Sequence, residues 1–193
     1  MFLSIIITLF LGSIIGIITS LSVYGFISLV KFLTNVFRHP DRNFESIASL
    51  FTNTGEFLFF IILIPCSIGL LVGILREYAL GDRWHGPPDV ILATHSEKKP
   101  LDIKSGFLSS FASILSISAG GSVGQYGPLV HFGATIGAEI NNLFPKKTQY
   151  DIVVGAGVAS AISSGFGAPL AGLIFAREVI LRHQSMASFA PIL

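Results

Sequence analysis

Four stretches of this chain contain no Asp, Glu, Lys or Arg: residues 1–30, 57–75, 105–138 and 152–176. A helix that crosses a bilayer needs about 20 mostly apolar residues, so each stretch is long enough to cross or re-enter a membrane. The first predicts a helix over residues 2–33, with Gly12 and Gly16 at a spacing that lets another helix approach closely. The second, residues 57–75, holds Pro65 and a similar pair, Gly69 and Gly73. Residues 105–138 are too many for one simple span, and Gly120, Gly121, Gly124, Gly127 and Pro128 interrupt them. They predict a helix to about Ala119, a loop, and a new helix from Pro128 to about Leu143. After the polar turn "FPKKTQYD", two more apolar helices are predicted over 152–163 and 169–182, parted by "SSGFGAP".

Composition turns this pattern into a class. The 193 residues are 51% hydrophobic and only 12% charged, with a mean hydropathy of +0.74. Soluble domains carry about 25% charged residues, so this chain has too little polar surface to solvate a globule. The expected fold is an all-α, polytopic membrane protein forming a single transmembrane domain over residues 1–193. Residues 1–29 form an apolar run longer than a secretory leader's core, with no preceding Lys or Arg, and are expected to remain as a tilted first helix. Arg76, Arg83, Lys98, Lys99 and Lys104 outnumber the three basic residues of the first connection (Lys31, Arg38, Arg42), which places residues 76–104 in the cytoplasm. A net charge of +1 gives no reason to expect nucleic acid. The one cysteine, Cys66, excludes an intrachain disulfide, and the histidines show no metal-ligand spacing.

Candidate chemistry lies where apolar helices begin. In "GQYGPL" and "GFGAPL", glycines precede a proline that opens a helix, and "HGPPD" repeats the arrangement at Gly86, Pro87 and Pro88. Proline suits a first helical position because its missing N–H would be unpaired there. Glycines upstream let the backbone take positive φ and approach a ligand. The remaining first-turn amides are unpaired and carry part of the helix dipole's positive charge. Within a bilayer, irregular backbone is tolerated only where it lines a cavity or packs in protein. Two or three such starts in one small chain therefore suggest a shared polar cavity that holds an anion, as broken helices do in transporters. The competing reading is that these glycines and prolines are packing kinks, common in membrane helices.

"AGGSVGQYGPLVHFGATIGAEI", followed by "GAGVASAISSGFGAPLAGLIFAREVI", closely resembles the CLC family of chloride channels and proton-coupled chloride transporters. The resemblance runs from about Arg76 to the end. It implies the first inverted-repeat half of the CLC fold, built of broken and tilted helices. It further implies an anion pathway formed by helix N-termini in a homodimer of the cell membrane, with chloride as the transported ion and no cofactor. Carried over, "HGPPD" is similar to the family's first filter motif, with Gly86 and Pro88 matching, Pro87 between them, and His85 where a serine hydroxyl touches the central anion. "GQYGP" is similar to the motif of the outer anion site: Gly124, Gly127 and Pro128 match, Gln125 stands at a basic position, and Tyr126 replaces the gating glutamate. In "FAREV", Glu178 matches the residue before the family's inner proton glutamate, and Val179 occupies that glutamate's position.

In the family the gating glutamate competes with the anion when charged and swings away when protonated. Tyrosine, with an unperturbed pKa of about 10, stays neutral at physiological pH. It can donate one hydrogen bond to an anion or plug the outer mouth, but it cannot carry protons. With Tyr126 and Val179 in place of both carboxylates, passive flux uncoupled from protons is expected. His85, of intrinsic pKa near 6.5, could be a neutral donor, a pH-dependent cation, or indifferent to the anion. His131, one turn into its helix, is expected to be packed and hydrogen-bonded. The resemblance covers only the first of two halves, and three readings stay open: a truncated frame, a fragment completed by a second polypeptide, or a half-length chain that assembles as an inverted pair. The apolar end "SMASFAPIL" points to truncation. A non-conducting scaffold that needs its second half is the alternative function. A remoter one is a dinucleotide-binding oxidoreductase, with residues 151–154 as a strand, Gly155, Gly157 and Ser160 as the fingerprint, and Glu178 as the ribose acid. No Gly-Lys-Ser/Thr follows the glycines, so a P-loop is excluded, and no enzyme is expected.

Overall fold

A computed structural model describes residues 2–38, 54–78, 84–95, 100–144 and 149–181. Outside them lie Arg83, Lys98 and Lys99 of the basic stretch, the turn residues 145–148, and the apolar end beyond residue 181. The described residues fold into α1 (Phe2–Arg38), α2 (Thr54–Arg76), α3 (Pro87–His95), α4 (Ile103–Ser118), α5 (Tyr126–Leu143), α6 (Tyr150–Phe166) and α7 (Pro169–Phe175). A π turn, Ala176–Leu181, continues α7. Among the described residues there is no strand, as the all-α reading requires.

At about 1.5 Å per residue, the 37 residues of α1 run roughly 55 Å, well beyond the ~30 Å hydrocarbon layer, so the helix is long enough to span it even when tilted. Leu11, Ile15, Thr19, Val23, Phe26 and Val30 recur every three or four positions and are buried against the other helices. Phe10, Ile17, Leu21, Tyr24 and Phe32 on the rest of the surface are apolar yet exposed. A helix apolar all round belongs in lipid or in a protein core. Among the described residues only the segment Leu9–Phe37 is long and apolar enough to span by itself, and the other apolar helices are shorter.

The tightest contact joins α5 to α6. A Cβ on Gly133 would stand 2.5 Å from the Gly157 carbonyl oxygen and from Ala161 Cβ. One on Gly137 would stand 2.7 Å from the Val153 oxygen, and one on Gly157 would overlap the Gly133 oxygen. This is small-residue packing, in which bare backbones touch because no side chain intervenes. It also overturns the dinucleotide reading: Asp151, Ile152, Val153 and Val154 are helical, and Gly155 and Gly157 lie mid-helix as packing positions. The pair flagged on α2 behaves differently, since Gly69 and Gly73 meet nothing within 4 Å.

Two glycines take positive φ, and both end helices. Gly120 (φ 98°) follows α4, where the Gly121 N–H reaches back to the Ser116 carbonyl at 2.9 Å. Gly167 (φ 64°) ends α6 and sends the Ala168 N–H to the Ser163 carbonyl at 3.1 Å. These are left-handed caps that satisfy terminal carbonyls.

α4 begins on Asp102, whose carboxylate accepts the Ser105 N–H at 2.9 Å. Burial works to raise the Asp102 pKa, but hydrogen bonds from the Ser105 hydroxyl and amide, with attraction to His85, outweigh it and hold the carboxyl below its usual range. A depressed carboxyl stabilises the fold above its unfolded pKa, and that contribution is lost as pH falls through the folded value. Asp102→Ala should therefore cost about 1 kcal/mol near neutrality, with the difference from the parent closing in strong acid. Thermal unfolding in detergent at the two pH values measures both.

Candidate functional site

The first candidate helix start is fully capped. Gly86 is the cap of α3: its carbonyl accepts the N–H groups of Asp89 at 3.0 Å and Val90 at 3.4 Å. The Asp89 carboxylate reaches back to the Gly86 N–H at 2.9 Å, a reciprocal cap. The His85 N–H donates to the Ser109 hydroxyl oxygen at 3.1 Å. Pro87 and Pro88 have no N–H to offer. The expectation of unpaired amides at this start therefore does not hold, because side chains occupy the two that could have faced a ligand. What remains is the end of the helix dipole.

The second start is open. Gln125 caps α5 without a side-chain bond, and its carbonyl accepts the Leu129 N–H at 3.2 Å. Ahead of Leu129 stand Pro128, which has no N–H, and the first-turn amides of Tyr126 and Gly127, for which an α-helix supplies no partner. The helix starts two residues before the expected Pro128, which thus occupies the third position, where its missing N–H still costs no bond. Neither Gly124 nor Gly127 takes a positive φ. A Cβ on either would meet nothing within 4 Å, so the backbone at Gly127 faces open space.

These two starts face one hollow of about 160 Å³. His85, Gly86 and Pro87 line one side of it, and Gly127 and Pro128 another. The third side is α4, through Ser109, Ser110 and Ser113. The Ser110 hydroxyl donates to the Gly106 carbonyl at 2.9 Å and the Ser113 hydroxyl to the Ser109 carbonyl at 2.8 Å, so their protons are spent on their own helix. Ser109 uses its oxygen to accept from His85 and keeps its proton. His131 completes the lining. It is packed, as expected, but not hydrogen-bonded: at 1% exposure, neither Nδ1 nor Nε2 has a protein partner. His85 Nδ1 is likewise buried and unpartnered, and the two rings stand 6.1 Å apart.

The other flagged residues lie elsewhere. Pro88, Gly124, Gln125 and Tyr126 are not among the lining residues. Tyr126 is turned onto Phe166, ring on ring at 3.9 Å. Val179 lies in the π turn, 37% exposed and away from the hollow, and Glu178 beside it is exposed. The "GFGAP" start does not join the others. Gly167 turns the chain straight back, and Gly172 of α7 packs on Ser163 and Ala159 of α6. The residues that the sequence did not mark are Ser109, Ser110 and Ser113; His131 was marked, but as hydrogen-bonded, and its nitrogens are without protein partners. Serines 109 and 113, one turn apart in an apolar helix whose one charge is Lys104 at its start, were the available signal.

Described residues that are helical without a strand, with a long apolar helix, lipid-suited surfaces and a polar hollow at broken helices, define a polytopic membrane protein. Residues 66–193 match the voltage gated chloride channel family. That match covers more than half of the chain, and the chain belongs to that family. It is 25% identical over 188 residues to the voltage-gated ClC-type chloride channel ClcB of Escherichia coli O81 (strain ED1a). It is 24% identical to the protein of that name in Shigella boydii serotype 18 (strain CDC 3083-94 / BS512). Each alignment covers 96% of this chain and 44% of the relative, so the chain spans less than half the length of these proteins.

Proposed function

We propose that this chain, as a single transmembrane unit over residues 1–193, forms the first half of a chloride pathway in the cell membrane. The observation that carries the proposal is the hollow shared by the starts of α3 and α5, with the Gly127 backbone facing open space. A helix start with free amides attracts anions, and the two dipoles add at one place. Flux through the pathway is passive. Tyr126 replaces the carboxylate that would carry a proton at the outer mouth, and Val179 replaces the inner one. Chloride is cargo, with no cofactor, and the working assembly is a homodimer or a union with a complementary second half. Proteoliposomes loaded with chloride provide the test. Efflux should collapse the chloride gradient without acidifying or alkalinising the lumen once the membrane voltage is clamped. Uphill proton movement against a chloride gradient would remove the passive reading.

The coverage of 44% of the relatives favours a second reading. In it the chain is a scaffold that conducts only when a complementary half closes the hollow. Efflux that appears only after co-reconstitution with such a half selects this reading. Efflux from the chain alone rejects it.

A further inference from the structure

A buried neutral imidazole carries one N–H that must donate and one nitrogen that must accept. His131 meets neither need from protein atoms, although it is 1% exposed and borders the hollow. The neighbouring groups explain what it could meet there. The protons of Ser110 and Ser113 are committed to backbone carbonyls, and the amides of His85 and Gly86 are taken by Ser109 and Asp89. The donors left at the hollow are the rings of His131 and His85, the Ser109 proton and the start of α5. With these donors and no carboxylate among its lining residues, the hollow suits an anion. The hollow's 160 Å³ is well above the ~10–15 Å³ that one water needs, so an anion could keep part of its hydration shell.

We propose that His131 is a side-chain anion ligand, donating a ring N–H to a halide-sized monovalent anion. The inference rests on the reading of the hollow as part of an anion path and adds a ligand to it. The His85 ring lies 6.1 Å from the His131 ring, and its buried Nδ1, also without a protein partner, belongs to the same lining.

Bromide binding to the purified full chain in nanodiscs, followed by calorimetry, tests this. Near pH 8, His131→Leu, which removes the ring donor, should weaken binding about tenfold or more, as loss of a hydrogen bond to a charged group does. His131→Gln keeps an N–H donor of similar size and should bind as the wild type does. If His131→Leu does not fold, His131→Phe, a ring without a donor, should show the same loss. Wild-type affinity in the donor-less variant overturns the proposal. So does an absence of bromide uptake at every pH, which would mean that the hollow holds only water. The binding pattern without any vesicle flux would keep the ligand and remove the pathway. Flux indifferent to His131 would do the reverse.

Discussion

Replacing Gly157 with valine should destabilise the chain by about 3 kcal/mol and lower its unfolding midpoint in detergent by roughly 10 °C. The reason is geometric. A Cβ at Gly157 would overlap the Gly133 carbonyl oxygen and stand 3.3 Å from Gly137 Cα, all of it backbone that cannot rotate away. α5 and α6 would have to separate along their closest contact, opening the apolar cluster that Val130, Ala134, Val154 and Val158 share. Gly69→Ala and Gly73→Ala on α2 provide the contrast. Both positions meet nothing within 4 Å, and alanine favours a helix over glycine by up to about 1 kcal/mol, so these changes should be neutral or stabilising. A Gly157→Val chain that unfolds with the parent would mean that the two helices do not pack as closely as the backbones indicate.

This contact bears on the site as well as on stability. α5 carries Gly127 and Pro128 at its start and Gly133 and Gly137 a turn or two later, so whatever sets its distance from α6 also sets where its open amides point. On the far side, Gly106 of α4 lies against Thr135 of α5, which holds the serine face of α4 close to the same helix. The hollow is thus bounded by a helix clamped on both sides at glycines. The clamp is backbone on backbone towards α6 and Gly106 on the Thr135 side chain towards α4, and the His85 N–H to Ser109 hydroxyl bond ties the start of α3 to α4 across the hollow.

The uncharged stretches gave away the helices because lipid imposes the same rule on every span, and glycine with proline marked the breaks because only these residues change the backbone itself. The predicted break after Ala119 and the new helix near Pro128 fall within two residues of their observed places. What a helix start faces is a different matter. "HGPPD" and "GQYGP" read alike, yet side chains cap the first and leave the second open, and this depends on Ser109, 24 residues away. "GFGAP" reads as a third start, but the left-handed Gly167 folds α7 back on α6 before it can reach the hollow. The π turn at Val179 left no mark either, since a one-residue change in hydrogen-bond step needs no special residue. His131 was correctly placed in its helix, but its lack of partners is a property of everything packed around it, and no spacing encodes that.

Tyr126→Glu should make chloride flux open in acid. The resemblance to CLC proteins puts a glutamate at this position, competing with the anion when charged. In this chain the ring at 126 is held off the hollow by its stack on Phe166. A carboxylate has no ring to stack. Set at the first position of α5, it would be drawn by the helix dipole to the open amides beside Gly127. Since the same amides favour the charged form, its pKa would lie at or below the ordinary glutamate value of about 4.3. It would be charged near pH 7.5 and should lower chloride flux about tenfold there, with recovery only by about pH 3. The sign follows from charge alone: the ionised form competes with chloride and the neutral form does not. Tyr126→Gln, which removes the ring without adding a charge, should give flux with no such pH step. Proton coupling should stay absent in both variants, because Val179 still offers no inner carboxylate. Chloride efflux from proteoliposomes at the two pH values measures the effect, using the complementary half if the chain needs one. Equal flux of Tyr126→Glu at both pH values would mean that position 126 does not reach the anion's route.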